Sequence, residues 1–235
     1  MNNQATSSDI TNTALQPVTY GRYFDAKGKR IVLPFSYTEL ERTRRFALRL
    51  LNSFHFRTGN NILITALLDQ AVQLMPVERA IYAAGLVLVS ADSSIYDAKR
   101  VESIIRRFEL SAAINTTSAT LDGLEQLGHD PKTLFTGLTV WAAPCAYDRL
   151  IDYPETSVLR YMEIGPAIAM ECPYKNGAHI DRFEWQVESM DDELVLSSRV
   201  ERCADFFQYR TGIRGVVHHG SCQCGNPDPR IILSE

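Results

Sequence analysis

The chain has 235 residues, 45% of them hydrophobic, and its 24 Lys and Arg residues against 28 Asp and Glu residues give a formal net charge of −4. This composition is typical of an ordinary globular protein and excludes the strongly basic surface on which nucleic-acid binding relies. No apolar run reaches the roughly 18–20 residues of a membrane span, and residues 1–17 lack the cationic and apolar regions of a signal peptide. We therefore expect a cytoplasmic protein without a nucleic-acid partner and without membrane contact.

Residues 1–36 predict a mobile arm followed by a first hairpin. Residues 1–17 are rich in Asn, Thr and Ser and contain few large apolar side chains, which is typical of a mobile segment. The stretch YGRYFDAKGKRIVLP, residues 20–34, predicts a hairpin with a basic turn at positions 27–30. This Lys27–Arg30 turn could attract a phosphate, and a charged surface turn is the simpler interpretation.

Residues 37–155 predict an α/β subdomain. The apolar residues of YTELERTRRFALRLLNSF, residues 37–54, share one helical stripe, and Arg and Glu occupy the other side. Four short apolar runs then alternate with helical patterns: residues 61–68, 86–91, 110–116 and 137–143. Alternating strands and helices imply right-handed crossovers, and therefore a mostly parallel sheet with flanking helices.

The pattern changes near YPETS, residues 153–157. Stretches such as HIDRFEWQVESMDDELVLSSRV read as short strands joined by turns. Residues 156–235 therefore predict a β-rich subdomain built largely from hairpins.

Two short segments contain candidate metal ligands. The stretch ECPYKNGAH places Cys172 and His179 at the same end of a predicted hairpin, and GSCQCGNPDPR places Cys222 and Cys224 on a second turn. Three thiolates and an imidazole on two loops are the set that a closed tetrahedral zinc site requires. Because four protein ligands leave no position for substrate, we predict a structural zinc that pins the β-rich subdomain. Four unrelated residues are the alternative, and two histidines are rival ligands: His218 and His219.

Two further charged residues lie where strands are predicted to end. Glu163 precedes a Gly-Pro turn, a position from which a carboxylate can hold Mg²⁺ beside a phosphate. Arg210, in YRTG, precedes a Gly turn, where its guanidinium can meet an anion. An ordinary solvated side chain is the alternative in both cases.

Several stretches in order resemble the phenylacetate–CoA ligase branch of the adenylate-forming ligases, over about residues 28–233. They are AAGLVLVSAD, LEQLGHDPKTL, YMEIGPAIAMEC, GAHIDRFEWQVE, LVLSSR, YRTG and CQCGNPDPRI. The resemblance implies a fold like the large N-terminal domain of these ligases, in which ATP and Mg²⁺ activate a carboxylic acid before its transfer to a thiol. The EC…H…CxCG pattern also resembles the zinc-binding set of some members.

The chain departs from this family pattern at its nucleotide-binding segments. The small-residue loop that holds the ATP phosphates is replaced by YGRYFDAKGK, whose larger residues cannot wrap phosphates in the same way. Only Glu163 survives from the family's Tyr-Gly-x-Thr-Glu segment, and Ile213 replaces the aspartate that binds ribose. The chain also ends where the family's hinge and C-terminal lid would begin, so we expect no lid.

These observations favour a degenerate ligase-like protein that binds a small acyl or aryl carboxylate or a thioester, accessory to secondary-metabolite biosynthesis. Its predicted pocket is lined by residues near strand ends: Thr117, Ser118, Ala143, Pro144, Tyr161, Glu163 and Arg210. The alternatives are an active ATP-dependent ligase and a protein-interaction module with a vestigial pocket. An active ligase would use Glu163 on Mg²⁺ and the Lys27–Arg30 turn and Arg210 on phosphate. A separate lid or carrier protein, and a second copy in a homodimer, are the partners that the family implies.

Overall fold

The computed structural model of the protein describes residues 15–25 and 27–234. The predicted mobile arm lies outside this part of the chain except for its last three residues, and Pro17 already begins the first strand. The strands are β1 (Pro17–Phe24), β2 (Arg30–Ser36), β3 (Asn61–Thr65), β4 (Val87–Ala91), β5 (Leu110–Thr116), β6 (Thr139–Ala142), β7 (Ser157–Ile164), β8 (Ala167–Glu171), β9 (Ala178–Ile180), β10 (Trp185–Met190), β11 (Glu193–Ser198), β12 (Tyr209–His218) and β13 (Arg230–Leu233). The α-helices are α1 (Tyr37–Leu51), α2 (Ala71–Ala83), α3 (Ala98–Arg107), α4 (Ser118–Gln126), α5 (Pro131–Leu134) and α6 (Pro144–Leu150).

The first half of the main sheet is parallel, in the order β4-β3-β5-β6-β7. Side chains alternate between its two faces, so Ile62 and Ile64 pack with α1 and α2, whereas Leu63 packs with α3, α4 and α6. Helices therefore cover both faces, which confirms the α/β prediction for this part of the chain.

The same sheet continues into the β-rich part. Strand β7 pairs with β6 in parallel and with β8 antiparallel, and the order then runs β9-β13-β12-β11-β10 with antiparallel pairs throughout. The eleven strands of this sheet join the two predicted subdomains through β7, which starts at Ser157 next to the predicted boundary.

The hairpin β1–β2 forms a separate two-stranded sheet that packs on α1 and α2. Its inward residues join a small core with α1 and α2 that includes Tyr23, Phe35, Leu40 and Val72. Helix α1 begins at a capping box in which Ser36 and Glu39 bond reciprocally to each other's backbone N–H groups. Ion pairs from the hairpin reach the segment after β3 and the end of β7, so the hairpin lies beside the carboxyl ends of these parallel strands.

Among the described residues, no helix combines the length and the apolar composition that crossing a membrane requires.

Candidate functional site

The structure brings the four predicted metal ligands together. Cys172 follows β8, His179 lies in β9, and Cys222 and Cys224 lie in the connection between β12 and β13. Their ligand atoms all lie within 4.8 Å of one another, with Cys172 Sγ 3.6 Å from Cys222 Sγ and Cys224 Sγ 3.4 Å from His179 Nε2.

The pairing of β13 with β9 aligns the two ligand-bearing loops. Gly177 lies between Cys172 and His179 with φ 87°, and a Cβ there would lie 2.9 Å from the carbonyl oxygen of Ile231 in β13. Only glycine combines this backbone conformation with such a close approach. Gly177 therefore allows the first loop to lie against the strand that follows the second.

The surroundings of His179 orient its free nitrogen toward the three sulfurs. Its Nδ1 lies 2.9 Å from the carbonyl oxygen of Asp228 and donates to it, so the lone pair is on Nε2. Burial lowers the pKa of His179, which favours the neutral ring that a metal requires. The backbone N–H of Asn226 also donates to Cys224 Sγ at 3.4 Å.

These residues fit a tetrahedral metal such as zinc. Ligand bonds of about 2.0–2.3 Å imply a tetrahedron with edges of about 3.3–3.8 Å, close to the two short separations in the cluster. Burial raises the pKa of the Cys172 thiol to about 12, so a divalent cation is the partner that would stabilise its thiolate. The rival ligands His218 and His219 are exposed and lie outside the cluster.

Four of the predicted pocket residues lie at the carboxyl ends of β5 and β6. Thr117 caps α4 by accepting from the backbone N–H of Thr120, and Ser118 Oγ is buried without a hydrogen-bond partner among the described residues. Ala143 and Pro144 begin α6, where Ala143 is half-buried and Pro144 is exposed. The carboxyl edge of a parallel sheet is where open α/β proteins bind ligands.

Glu163, in β7, is already bound by residues of the chain. Arg22 Nη1 lies 3.1 Å from Glu163 Oε2, and Gln70 Nε2 donates to Glu163 Oε1 at 3.2 Å. The carboxylate is 21% exposed, and burial raises its pKa although Arg22 and Gln70 oppose this effect. Tyr161, two residues earlier on the same face of the strand, is 1% exposed inside the core and therefore lies beneath the strand ends. Its hydroxyl has no hydrogen-bond partner within the part of the chain that the structure describes.

The sequence did not reveal the other members of this polar cluster. Asp69 accepts from Arg22 at 3.2 Å and from Arg30 at 3.4 Å, so both strands of the hairpin contribute a guanidinium. Gln70 also lies 3.5 Å from Asn115 Nδ2 at the end of β5. Arg22 is buried although the residues two positions away on the same face of β1 are exposed, so the local sequence pattern did not indicate its place in this cluster.

Arg210 does not reach this cluster. It is half exposed on β12 and binds two neighbouring acidic residues, Glu193 at 2.7 Å and Asp191 at 3.3 Å. Ile213, at the position of the family's ribose-binding aspartate, is half-buried and packs against the core of the antiparallel half. The described residues of the Lys27–Arg30 turn are exposed.

These residues do not fit a family-type ATP and Mg²⁺ site. The carboxylate that would bind Mg²⁺ is neutralised by Arg22, the arginine that would meet phosphate is paired elsewhere, and Ile213 offers no acceptor to a ribose.

Comparison of the structure with solved proteins identifies the fold as that of the adenylate-forming ligases. An open conformation of 2-hydroxyisobutyryl-CoA ligase, in complex with 2-HIB-AMP and CoA, matches 97% of this chain and 57% of the ligase with a TM-score of 0.68 and 12% identity. The N-terminal subdomain of Klebsiella oxytoca NpsA, in complex with 3-hydroxyanthranilyl-AMSN, matches 93% of this chain and 63% of its own with a TM-score of 0.59 and 9% identity. A single-substitution variant of E. coli MenE with bound OSB-AMS matches 93% of this chain and 49% of its own, with a TM-score of 0.51 and 11% identity.

No protein-family model matches the chain, and no curated protein matches it in sequence. The chain spans 57% of the length of the 2-hydroxyisobutyryl-CoA ligase. Because the sequence identities are only 9–12%, these matches indicate the fold alone, and neither an activity nor a substrate follows from them.

Proposed function

We propose that the chain is a degenerate ligase-like protein that binds a small acyl or aryl carboxylate, or the corresponding thioester, without adenylating it. The observation that carries this proposal is the contact between Arg22 and Glu163 at 3.1 Å. A guanidinium from the hairpin already holds the carboxylate that a magnesium ion would need. The accessory role in secondary metabolism that the sequence resemblance implies is part of the same proposal.

The ligand position that we favour is the amino end of α4. The nine-residue helix directs its free N–H groups and the positive end of its dipole toward the edge of the sheet. Ser118 Oγ is buried there without a partner, and Thr117 is the capping residue. A carboxylate placed at this end would satisfy the Ser118 hydroxyl and the helix amino end together.

Calorimetric titration with ATP and Mg²⁺ tests the first part of the proposal. We expect no heat and no thermal shift at millimolar ATP, because the nucleotide contacts are replaced. Micromolar binding would contradict the proposal and would favour the active ligase, which pyrophosphate exchange with a carboxylic acid would then establish.

Titration with a panel of acyl and aryl carboxylates and thioesters tests the second part. We expect one class to bind, and Ser118→Ala to weaken its binding by about tenfold to a hundredfold because one hydrogen bond to a charged group is lost. Ser157→Ala, on an exposed serine at the start of β7, is the matched control. Failure of every carboxylate and of ATP would favour the interaction module with a vestigial pocket.

We also propose that Cys172, His179, Cys222 and Cys224 bind one structural zinc ion. The clustering of their ligand atoms within 4.8 Å supports this proposal. Metal analysis of the purified protein should find close to one zinc per chain, and Cys224→Ser should release it. Cys145→Ser is the control, because Cys145 is exposed and lies outside the cluster. Stably folded protein without metal would contradict the proposal.

A further inference from the structure

A groove runs along the exposed ridge of α1. Arg42, Arg45 and Arg49 are spaced by three and four residues, so their side chains lie on one side of the helix over about 10 Å. They line a groove of about 240 Å³ whose opposite wall is formed by Asp181 and Phe183, in the connection between β9 and β10.

A second section of the groove begins at the same arginine. It has a volume of about 320 Å³ and extends from Arg49 past Asn52 and Ser53 to the connection between β12 and β13 at 224–227. The groove is therefore cationic at one end and lined by neutral hydrogen-bonding groups at the other.

Buried carboxylates hold two of these guanidiniums in place from behind. Arg49 Nη2 lies 2.9 Å from Asp228, which is fully buried, and 3.2 Å from Asp181 on the opposite wall. Arg42 Nε lies 3.3 Å from Glu184, whose side chain is 1% exposed. The guanidiniums themselves are about one-third exposed at the groove surface. Fixed in this way, they lose little conformational freedom when they bind an anion.

Donor groups of the arginines remain unused. Arg49 Nε is buried and has no hydrogen-bond partner among the described residues. Arg45 is 68% exposed, and its acidic neighbour Glu41 is bound more closely by Arg44, at 2.5 Å, than by Arg45, at 3.5 Å. The three guanidiniums thus line one small groove, and that of Arg45 is the most exposed.

From this geometry we propose that the α1 groove binds a phosphate monoester, with the phosphoryl group among Arg42, Arg45 and Arg49. Guanidinium N–H pairs match the oxygens of phosphate bidentately, and a dianion with three terminal oxygens offers several guanidiniums more acceptor positions and more charge than a carboxylate does. Phe183 is 56% exposed beside the groove, with the guanidiniums of Arg49 and Arg182 over its ring at 5.3 and 4.8 Å. It offers an apolar surface to the organic part of the ester.

Calorimetry with inorganic pyrophosphate as the first probe tests this inference on the metal-containing full chain. We expect binding that weakens as salt is raised, and Arg45→Gln to reduce it by about fivefold, since an exposed charge pair contributes at most about 1 kcal/mol. Arg100→Gln removes the same charge from a 64% exposed arginine on α3 and should leave binding unchanged. Arginine Nε–H resonances of Arg45 and Arg49 should shift on titration.

An equal loss of pyrophosphate affinity in Arg45→Gln and Arg100→Gln, or no binding at ten millimolar pyrophosphate, would overturn the inference. Adenosine 3′,5′-bisphosphate and a phosphoserine peptide then distinguish a nucleotide from a phosphorylated protein as the source of the phosphate. A non-phosphorylated acidic peptide that binds more tightly than both would show that the groove recognises carboxylates and would equally overturn it. These readouts are separate from the carboxylate titrations at α4, so either proposal can fail alone.

Discussion

Glu163 and Arg22 form a partly buried ion pair whose members are 141 positions apart in the chain. Burial raises the pKa of Glu163, with Arg22 and Gln70 opposing the shift. In the folded protein this carboxyl therefore binds a proton at higher pH than it does in the unfolded chain. The folded state consequently holds more protons in this pH range, and its stability falls as the pH rises through the raised pKa.

We predict that Glu163→Gln removes this dependence. The difference in unfolding free energy between wild type and variant should change across the window that starts at the unfolded pKa, about 4.5, and ends at the raised folded pKa. Above this pH window the free energy of unfolding of the variant should have risen relative to that of wild type, because the glutamine cannot ionise. Urea denaturation at a series of pH values measures this difference, and a constant difference across the window would contradict the prediction.

Arg202 is the most buried arginine of a second ion-pair cluster. It is 3% exposed, binds Glu39 at 3.0 Å and also binds Glu184, and its guanidinium lies 4.3 Å from the centre of the Trp185 ring. We predict that Arg202→Met destabilises the protein by about 3–5 kcal/mol, because buried Glu39 loses its arginine and buried Glu184 keeps only the pair with Arg42. Chemical denaturation measures the change.

Arg210 provides the matched control for this prediction. It also binds two carboxylates, Glu193 and Asp191, but at the surface. Arg210→Met should leave the denaturation midpoint unchanged, since water and salt screen exposed pairs. Similar effects of the two substitutions would show that burial is not what makes the Arg202 cluster important.

At the scale of elements, the hairpin is positioned by its close approach to α2. A Cβ on Gly21 in β1 would lie 2.6 Å from Val72 Cβ in α2. We predict that Gly21→Ala costs about 1–3 kcal/mol through overpacking, and that adding Val72→Ala recovers part of this loss. Thermal unfolding measures both variants.

Gly220 serves as the control for that substitution. A Cβ there would meet only the end of the Arg230 side chain, at 4.0 Å. Gly220→Ala should therefore be neutral. If Gly21→Ala were neutral as well, the hairpin would not need to lie as close to α2 as the structure shows.

The elements that the sequence predicted well are those with a local signal. Strand β5 occupies residues 110–116 as predicted, and α1 covers most of residues 37–54, because apolar periodicity is a property of neighbouring residues. The proximity of Cys172, His179, Cys222 and Cys224 was also predictable, since cysteine pairs in turns are uncommon and chemically specific. The partners of Glu163 were not, because Arg22 lies 141 positions away and nothing in its local sequence indicates which carboxylate it binds.

At the scale of the whole molecule, β7 joins the parallel half and the antiparallel half of the main sheet. It pairs with β6 on one side and β8 on the other, and Trp141 Nε1 in the parallel half donates to the carbonyl oxygen of Glu171 in the antiparallel half at 2.9 Å. Arg49 of α1 also binds Asp228, beside the Cys and His cluster. These contacts cross the predicted boundary at residue 156 within one sheet.

We therefore predict a single cooperative unfolding transition, in which calorimetric and van't Hoff enthalpies agree. Removing the proposed zinc with a chelator should lower the temperature of the whole transition, because a ligand that binds only the folded state stabilises everything that unfolds with its site. Differential scanning calorimetry with and without chelator measures both quantities, with Cys224→Ser insensitive to chelator as the control. Two transitions, of which only one moves on chelation, would show instead that the halves on either side of β7 unfold independently and that the metal stabilises the antiparallel half alone.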